Sequence, residues 1–165
     1  MVLLYNPRQM VFVSCRGRTT VFGRQAERDY IVTTTWHSPC AQNPAMYLIV
    51  IPTVQEGAIA AIRDEGRFVV NFMGVEFEDA AKALASPHLP HDDHFTAAGL
   101  TRAPSAMLDC PRIMEAAGWA ECALAKEIES GDHVIFIGQV LHADLPHRDA
   151  KRLFHVEGER FTTTK

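Results

Sequence analysis

Three consecutive hydroxyl side chains, Thr33, Thr34 and Thr35, run into Trp36 within YIVTTTWHSPC, residues 30–40. Successive strand side chains point to opposite faces, so both faces of this segment carry a hydroxyl. Taken alone, the threonines are good strand formers and Trp36 is core filler. A second group is HLPHDDH, residues 88–94, where His88, His91 and His94 stand beside Asp92 and Asp93. That composition can ligate a divalent metal, but its spacing fits neither H-E-x-x-H nor a helical pair with a clear third ligand. A third is Gly131-Asp132-His133, at the start of a strand interrupted by Gly138. A glycine there marks a bulge, a barrel corner or close approach by a ligand or another backbone. His133 is either a donor near a ligand or a turn histidine bonded to backbone, and both readings stay open. Cys40 has no visible base beside it and reads as a small residue, not a nucleophile. The chain holds no Ser-His-Asp or paired-carboxylate constellation, and no G-x-G-x-x-G after a strand. A dinucleotide would have to be held without a Rossmann unit.

Strands must position these groups. The run 31–36 is almost entirely β-branched or aromatic, and Pro39 is expected to stop it. MVFVSC (10–15) alternates, MYLIVI (46–51) is apolar on both faces, and RFVVNF (67–72) is a further strand. WAECALAKEI (119–128) and HVIFIGQVLHADL (133–145) are joined by the turn-rich residues 129–132 and predict an antiparallel hairpin. Between them lie two helices. Thr53 and Glu56 form a T-x-x-E capping box ahead of Val54, Ala58, Ala61 and Ile62, with Gly66 as the stop. Residues 76–85 place Phe77, Ala80, Ala81 and Leu84 on one side of a helix. From 86 to 110 periodicity fails, with one helical turn expected near 93–98, and long irregular segments often carry function. The pattern predicts a mainly β fold with helical excursions, a six-stranded antiparallel Greek-key split β-barrel.

With 165 residues, 47% hydrophobic and 22% charged, the chain is expected to be one soluble domain spanning 1–165. Sixteen basic against twenty acidic residues leave no basic stripe, so neither nucleic acid nor a membrane surface is an expected partner. Four dispersed cysteines without C-x-x-C suit a reducing cytoplasm.

The blocks DYIVTTTWHSPCAQNP (29–44), EGRFVVNF (65–72), AECAL (120–124) and GDHVIFIGQV (131–140) follow one another in an order and spacing that resemble the flavin reductase-like family, whose fold is the FMN-binding split barrel. Members look like D-N-I-x-T-x-x-W-x-x-P-V-S, then G-E-F-V-V-N, then G-D-H-x-x-x-x-G-x-V. The resemblance implies a homodimer with flavin, FMN or FAD, in a groove between subunits. It places Thr33, Thr34, Thr35 and Trp36 at the flavin edge and chain, with Cys40 and Ala41 in the following loop and Asn71 and His155 as further contacts. Flavin needs donors for its carbonyls, ring nitrogens, ribityl chain and phosphate, which gives the threonine run a purpose. His133 becomes the candidate catalytic residue beside flavin or nicotinamide. In the histidine-rich loop His94 stands where lysine is common, which favours a solvated loop over a metal site.

The activity implied is NAD(P)H-dependent flavin reduction, with NADH or NADPH as donor and a separate flavin-dependent monooxygenase as consumer. A redox protein that keeps its FMN and passes electrons to a metal chelate or protein is the second reading, and a degenerate barrel without a redox role the third. The chain departs from the pattern at Tyr30 for Asn, Ala41 for Ser and Ala58 for Ser or Thr. Three missing polar groups, with helix amides at the capping box still able to meet a phosphate, imply a loosely held flavin exchanged as a substrate.

Overall fold

The β-branched and aromatic runs form strands, and most of them join one antiparallel sheet of seven. The computed structural model describes residues 4–86 and 92–164. In chain order these hold β1 (Arg8–Gln9), β2 (Val11–Val21), β3 (Arg24–Thr34), β4 (His37–Gln42), β5 (Ala45–Pro52), α1 (Glu56–Glu65) and β6 (Arg67–Phe72). A 3-10 turn (Val75–Phe77), α2 (Glu78–Ala85), α3 (His94–Ala97), β7 (Arg102–Ala103), β8 (Arg112–Ile113), β9 (Gly118–Ser130), β10 (His133–Asp144), β11 (Phe154–Glu157) and β12 (Arg160–Thr162) follow. The large sheet runs β3-β2-β6-β9-β10-β5-β4; β1, β11 and β12 make a second sheet, and β7 pairs with β8.

The fold is the split barrel, its large sheet holding one strand more than the six expected, with short strands added outside it. The extra strand of the large sheet is β4, whose six residues HSPCAQ show no alternation and are nearly all exposed. Pro39 therefore does not stop the strand before it. The break falls at Thr35 and Trp36, and Pro39 sits inside β4, which is tolerable because β4 is the sheet's edge. Cys40 is the extra residue of a bulge there, between Pro39 opposite Tyr47 and Ala41 opposite Met46.

The hydroxyl of Thr34 closes the barrel. It donates to the Val50 carbonyl at 2.9 Å and accepts the Trp36 amide at 3.0 Å, while the Val50 amide donates to the Trp36 carbonyl at 2.9 Å. Side chain and backbone thus tie the end of β3 to β5 across the split. Inside, Val13, Val32, Ile49, Phe68, Cys122 and Phe136 pack together, and α1 plugs the barrel with Ala58, Ile59, Ala61 and Ile62. The other face of β2 and β3 packs Phe12 and Ile31 against Ala81 and Leu84 of α2 and Phe95 of α3.

One local expectation changes, and the glycine inside β10 does mark an irregularity. The capping box does not form: Gln55 is the N-cap without a side-chain bond, and the Thr53 hydroxyl instead donates to the Asp132 carbonyl at 3.1 Å. Gly66 does end α1, in the left-handed conformation at φ 66°. At Gly138 the sheet is irregular, with Ile137 opposite Lys126 but Gly138 opposite Leu124. The close approach there is internal. A Cβ on Gly138 would lie 2.7 Å from Cys122 Cβ and 2.8 Å from Phe68 Cζ.

The irregular segment after α3 is held down by buried polar side chains of the sheet. Ser14 donates to the Pro111 carbonyl at 2.6 Å, and fully buried Glu121 accepts the Ala106 and Met107 amides at 2.7 Å each.

Candidate functional site

Trp36 leaves β3 at the split, and His133 opens β10 after the Gly131-Asp132 turn. The two rings stack with centroids 4.8 Å apart and planes 28° from parallel. Trp36 keeps 41% of its surface exposed, a large fraction for an indole that nothing obliges to face water. His133 Nδ1 lies 2.6 Å from Asp132 Oδ1, and this bond holds the Asp132 carboxyl below its ordinary range. The turn is fixed from the other side, because Thr53 donates both its amide, at 2.9 Å, and its hydroxyl to the Asp132 carbonyl.

Beside this pair opens a cleft of about 360 Å³, bounded by Thr53, Glu56, Ile59 and Arg63 on one side and by Glu129 and His133 on the other. Its charge is mainly acidic. Arg63 is bonded to Glu127 and Glu129 and offers no uncommitted cation. Glu56 stands in the first turn of α1, where it opposes an incoming anion.

The threonine run divides into different duties. Thr34 is spent on the barrel seam, whereas Thr33 and Thr35 are half-buried and their hydroxyls have no hydrogen-bond partner among the described residues. Thr33 pairs with Phe12 and so faces away from the barrel interior. The Thr35 carbonyl accepts from Arg8 Nε at 2.8 Å, and Arg8 in turn pairs with His155 of β11. His155 is bonded to the Gly158 carbonyl at 2.9 Å and stands edge-on to Phe161. Cys40 and Ala41 lie exposed on β4.

Two expected positions are not available to a ligand. Asn71 is fully buried: its amide nitrogen donates to the Phe12 carbonyl at 2.9 Å and the Ser14 hydroxyl at 3.0 Å, and its oxygen accepts the Ile113 amide at 2.8 Å. The segment 111–113 covers that strand end, so Asn71 is a structural residue. Ala58 is 2% exposed in the core, and a hydroxyl there would meet apolar neighbours and no ligand. Of the histidine-rich loop, His88 and His91 lie outside the described residues. His94 is buried with Nδ1 3.0 Å from the Ile31 nitrogen, and no group of three acidic, histidine or cysteine side chains among the described residues could hold a metal.

Sequence reading gave Asp132 no role apart from the Gly131-Asp132-His133 turn, and missed the half-buried pair His37 and Tyr47. His37 Nε2 lies 2.9 Å from the Gln9 carbonyl, which can only accept, so Nε2 carries the proton and Nδ1 accepts the Tyr47 hydroxyl at 2.7 Å. Burial lowers the His37 pKa and pushes Tyr47 up to about 12. Burial likewise pushes the Cys110 and Cys122 thiols up to about 12 and raises Cys15, so these three are not nucleophiles. No described helix is long and apolar enough to cross a membrane.

A family model for the flavin reductase like domain matches residues 5–164. An uncharacterised protein of Archaeoglobus fulgidus is 28% identical over 157 residues, covering 88% of this chain and 87% of that protein. The reductase component of a 4-nitrophenol 4-monooxygenase/4-nitrocatechol 2-monooxygenase from Rhodococcus opacus is 26% identical over 136 residues, covering 82% of this chain and 69% of that protein. Among solved structures, an FMN-binding protein from Thermus thermophilus with bound 1-cyclohex-2-enone matches with a TM-score of 0.81 at 17% identity, over 98% of this chain and 88% of that one. That likeness is one of fold.

Proposed function

The chain belongs to the flavin reductase like domain family, and we propose from that membership that it is an NAD(P)H-dependent flavin reductase acting on FMN or FAD and supplying reduced flavin to a separate monooxygenase. The observation that carries this is the Trp36–His133 stack, a flat and partly exposed aromatic seat, with Thr53 lining the cleft beside His133. Such a seat suits a planar heterocycle with polar edges. Flavin supplies the redox chemistry when bound, taking up the hydride that nicotinamide gives. The protein's part is to stack the rings, orient them and exclude water. The Rhodococcus opacus relative, named as a reductase component, agrees with this role.

The seat fits the flavin ring better than its phosphate. No described cation lining the cleft is uncommitted, and Glu56 stands at the helix end. This supports a flavin held loosely and released, and the cause is the cleft's charge rather than a missing hydroxyl at Ala58. The second reading, a protein that retains FMN, draws support from the fold shared with the FMN-binding protein of Thermus thermophilus. Dialysis separates the two, because a retained flavin leaves the protein yellow.

The functional unit is a homodimer in this proposal. On the outward face of the sheet, Ile135 lies between Val50 and Ile128, and Ile137 beside Leu48, while their strand neighbours Val134, Phe136, Ile49 and Ile51 fill the core. The adjacent strands β5 and β10 are apolar on both faces, with Ile128 of β9 beside them, and such an outer face is built to be covered. Trp36 and His133 stand at the end of that face, where a second copy would complete the groove. The test is turnover of NADH and NADPH with and without added FMN or FAD, with light scattering on the same sample.

A further inference from the structure

We propose that Asp132 is a positioning residue that fixes His133 as its Nδ1–H tautomer, flat against Trp36, so that Nε2 is presented to the bound ring as a hydrogen-bond acceptor. The Asp132 carboxylate lies 2.6 Å from Nδ1. An ionised carboxylate can only accept, so Nδ1 must donate, and in the neutral imidazole the other nitrogen then carries a lone pair. Nε2 has no partner among the described residues. The unit is held at both ends, by Thr53 on the Asp132 carbonyl and by the Trp36 face on the imidazole plane. The charged groups of the packed elements, Glu56, Arg63 and Asp64 of α1 and Glu129 of β9, line the same cleft without bonding the imidazole.

An acceptor at the edge of an aromatic seat selects a planar heterocycle that presents an N–H in its own plane. Two ligands of the proposed reaction carry one: the carboxamide of nicotinamide and the imide N–H of flavin. The positioning role stands on the geometry, whereas the identity of the ligand rests on the flavin reductase reading. Asp132 is 90% exposed, so its replacement removes the bond to His133 without opening the core.

The first arm uses flavin-free protein and imidazole nitrogen-15 shifts, with the His133 signals assigned by their loss in His133→Ala. Wild-type protein is expected to show neutral His133 protonated at Nδ1. Asp132→Ala should revert it to the Nε2–H form that free imidazole side chains favour, and Asp132→Asn, whose amide oxygen still accepts, should restore Nδ1–H. An unchanged tautomer in Asp132→Ala overturns the positioning role. The second arm compares NADH with its 3-acetylpyridine analogue, which lacks the amide N–H, and FMN with N3-methyl-FMN. Wild type should discriminate about fivefold against one of the two analogues, the effect of one hydrogen bond, and Asp132→Ala should lose that discrimination. Equal treatment of both analogues by wild type overturns the acceptor assignment. Protein that shows the tautomer yet reduces no flavin would refute the reductase reading and leave the positioning role intact.

Discussion

Replacing Glu121 by glutamine tests how the irregular segment is held against the sheet. The carboxylate is fully buried, and both oxygens accept backbone amides, Ala106 and Met107, at 2.7 Å. Glutamine keeps one acceptor and turns an NH2 group toward an N–H donor. One charge-assisted bond is lost and one buried amide is left unmatched, a cost of about 3 kcal/mol. For a protein of this size that is a fall in melting temperature of roughly 6–12 °C. Thermal unfolding followed by circular dichroism is the assay, with Glu121→Ala expected to fall further because both amides lose their acceptor. The exposed pair in which Glu115 accepts the Thr101 amide provides the control, since water replaces a lost acceptor there. A Glu121→Gln midpoint within about 2 °C of wild type would refute the reasoning, since it would require water or another acceptor to reach those amides.

His37 is held neutral by burial, so its folded pKa lies below its unfolded one. The unfolded chain then binds more protons as pH falls below about 6.5, and stability present above that value should decline as the pH drops. Denaturant midpoints across that range should show the decline, and His37→Phe should flatten it. Gly138→Ala forces a methyl to within 2.7 Å of Cys122 and 2.8 Å of Phe68, and should cost about 1–3 kcal/mol in chemical denaturation. Trp36→Ala should weaken flavin or nucleotide binding about tenfold in a fluorescence titration and leave the melting temperature nearly unchanged, because the ring is 41% exposed. Ile135→Glu should give a monomer by light scattering and weaken flavin binding with it; a monomer that binds flavin as tightly as wild type would contradict the shared groove.

The central strands were legible because burial imposes a pattern on them. MVFVSC, MYLIVI and RFVVNF fall in β2, β5 and β6, and the 119–128 and 133–145 runs fall in β9 and β10. The distal halves of β2 and β3 were not, because residues 16–30 carry Arg16, Arg18, Arg24, Glu27, Arg28 and Asp29 and bury little on either face. A ladder of backbone bonds extends them all the same, around a turn in which Phe22 and Gly23 both have positive φ. β4 was hidden by a proline that only an edge strand accepts. At the site, Trp36 and His133 each drew attention by type, but their stacking depends on the barrel closing through Thr34, which no local pattern records. Thr53 and Asn71 were misread for a common reason. Each side chain had a plausible local use, and tertiary structure gave it a partner from a distant segment, the Asp132 carbonyl in one case and the Ile113 amide in the other. Glu121 did leave a signal, a lone acid inside the apolar run WAECAL.

The most direct measurement is anaerobic oxidation of NADH and NADPH by dialysed protein, followed through nicotinamide absorbance and flavin bleaching with FMN or FAD added in excess. The expected result is a colourless protein whose nucleotide oxidation requires added flavin, saturates in both reactants, and falls sharply in Trp36→Ala and His133→Ala. Protein that neither binds flavin nor oxidises either nucleotide would contradict the proposed activity, and protein that stays yellow through dialysis with little turnover of added flavin would replace it with the FMN-retaining redox protein.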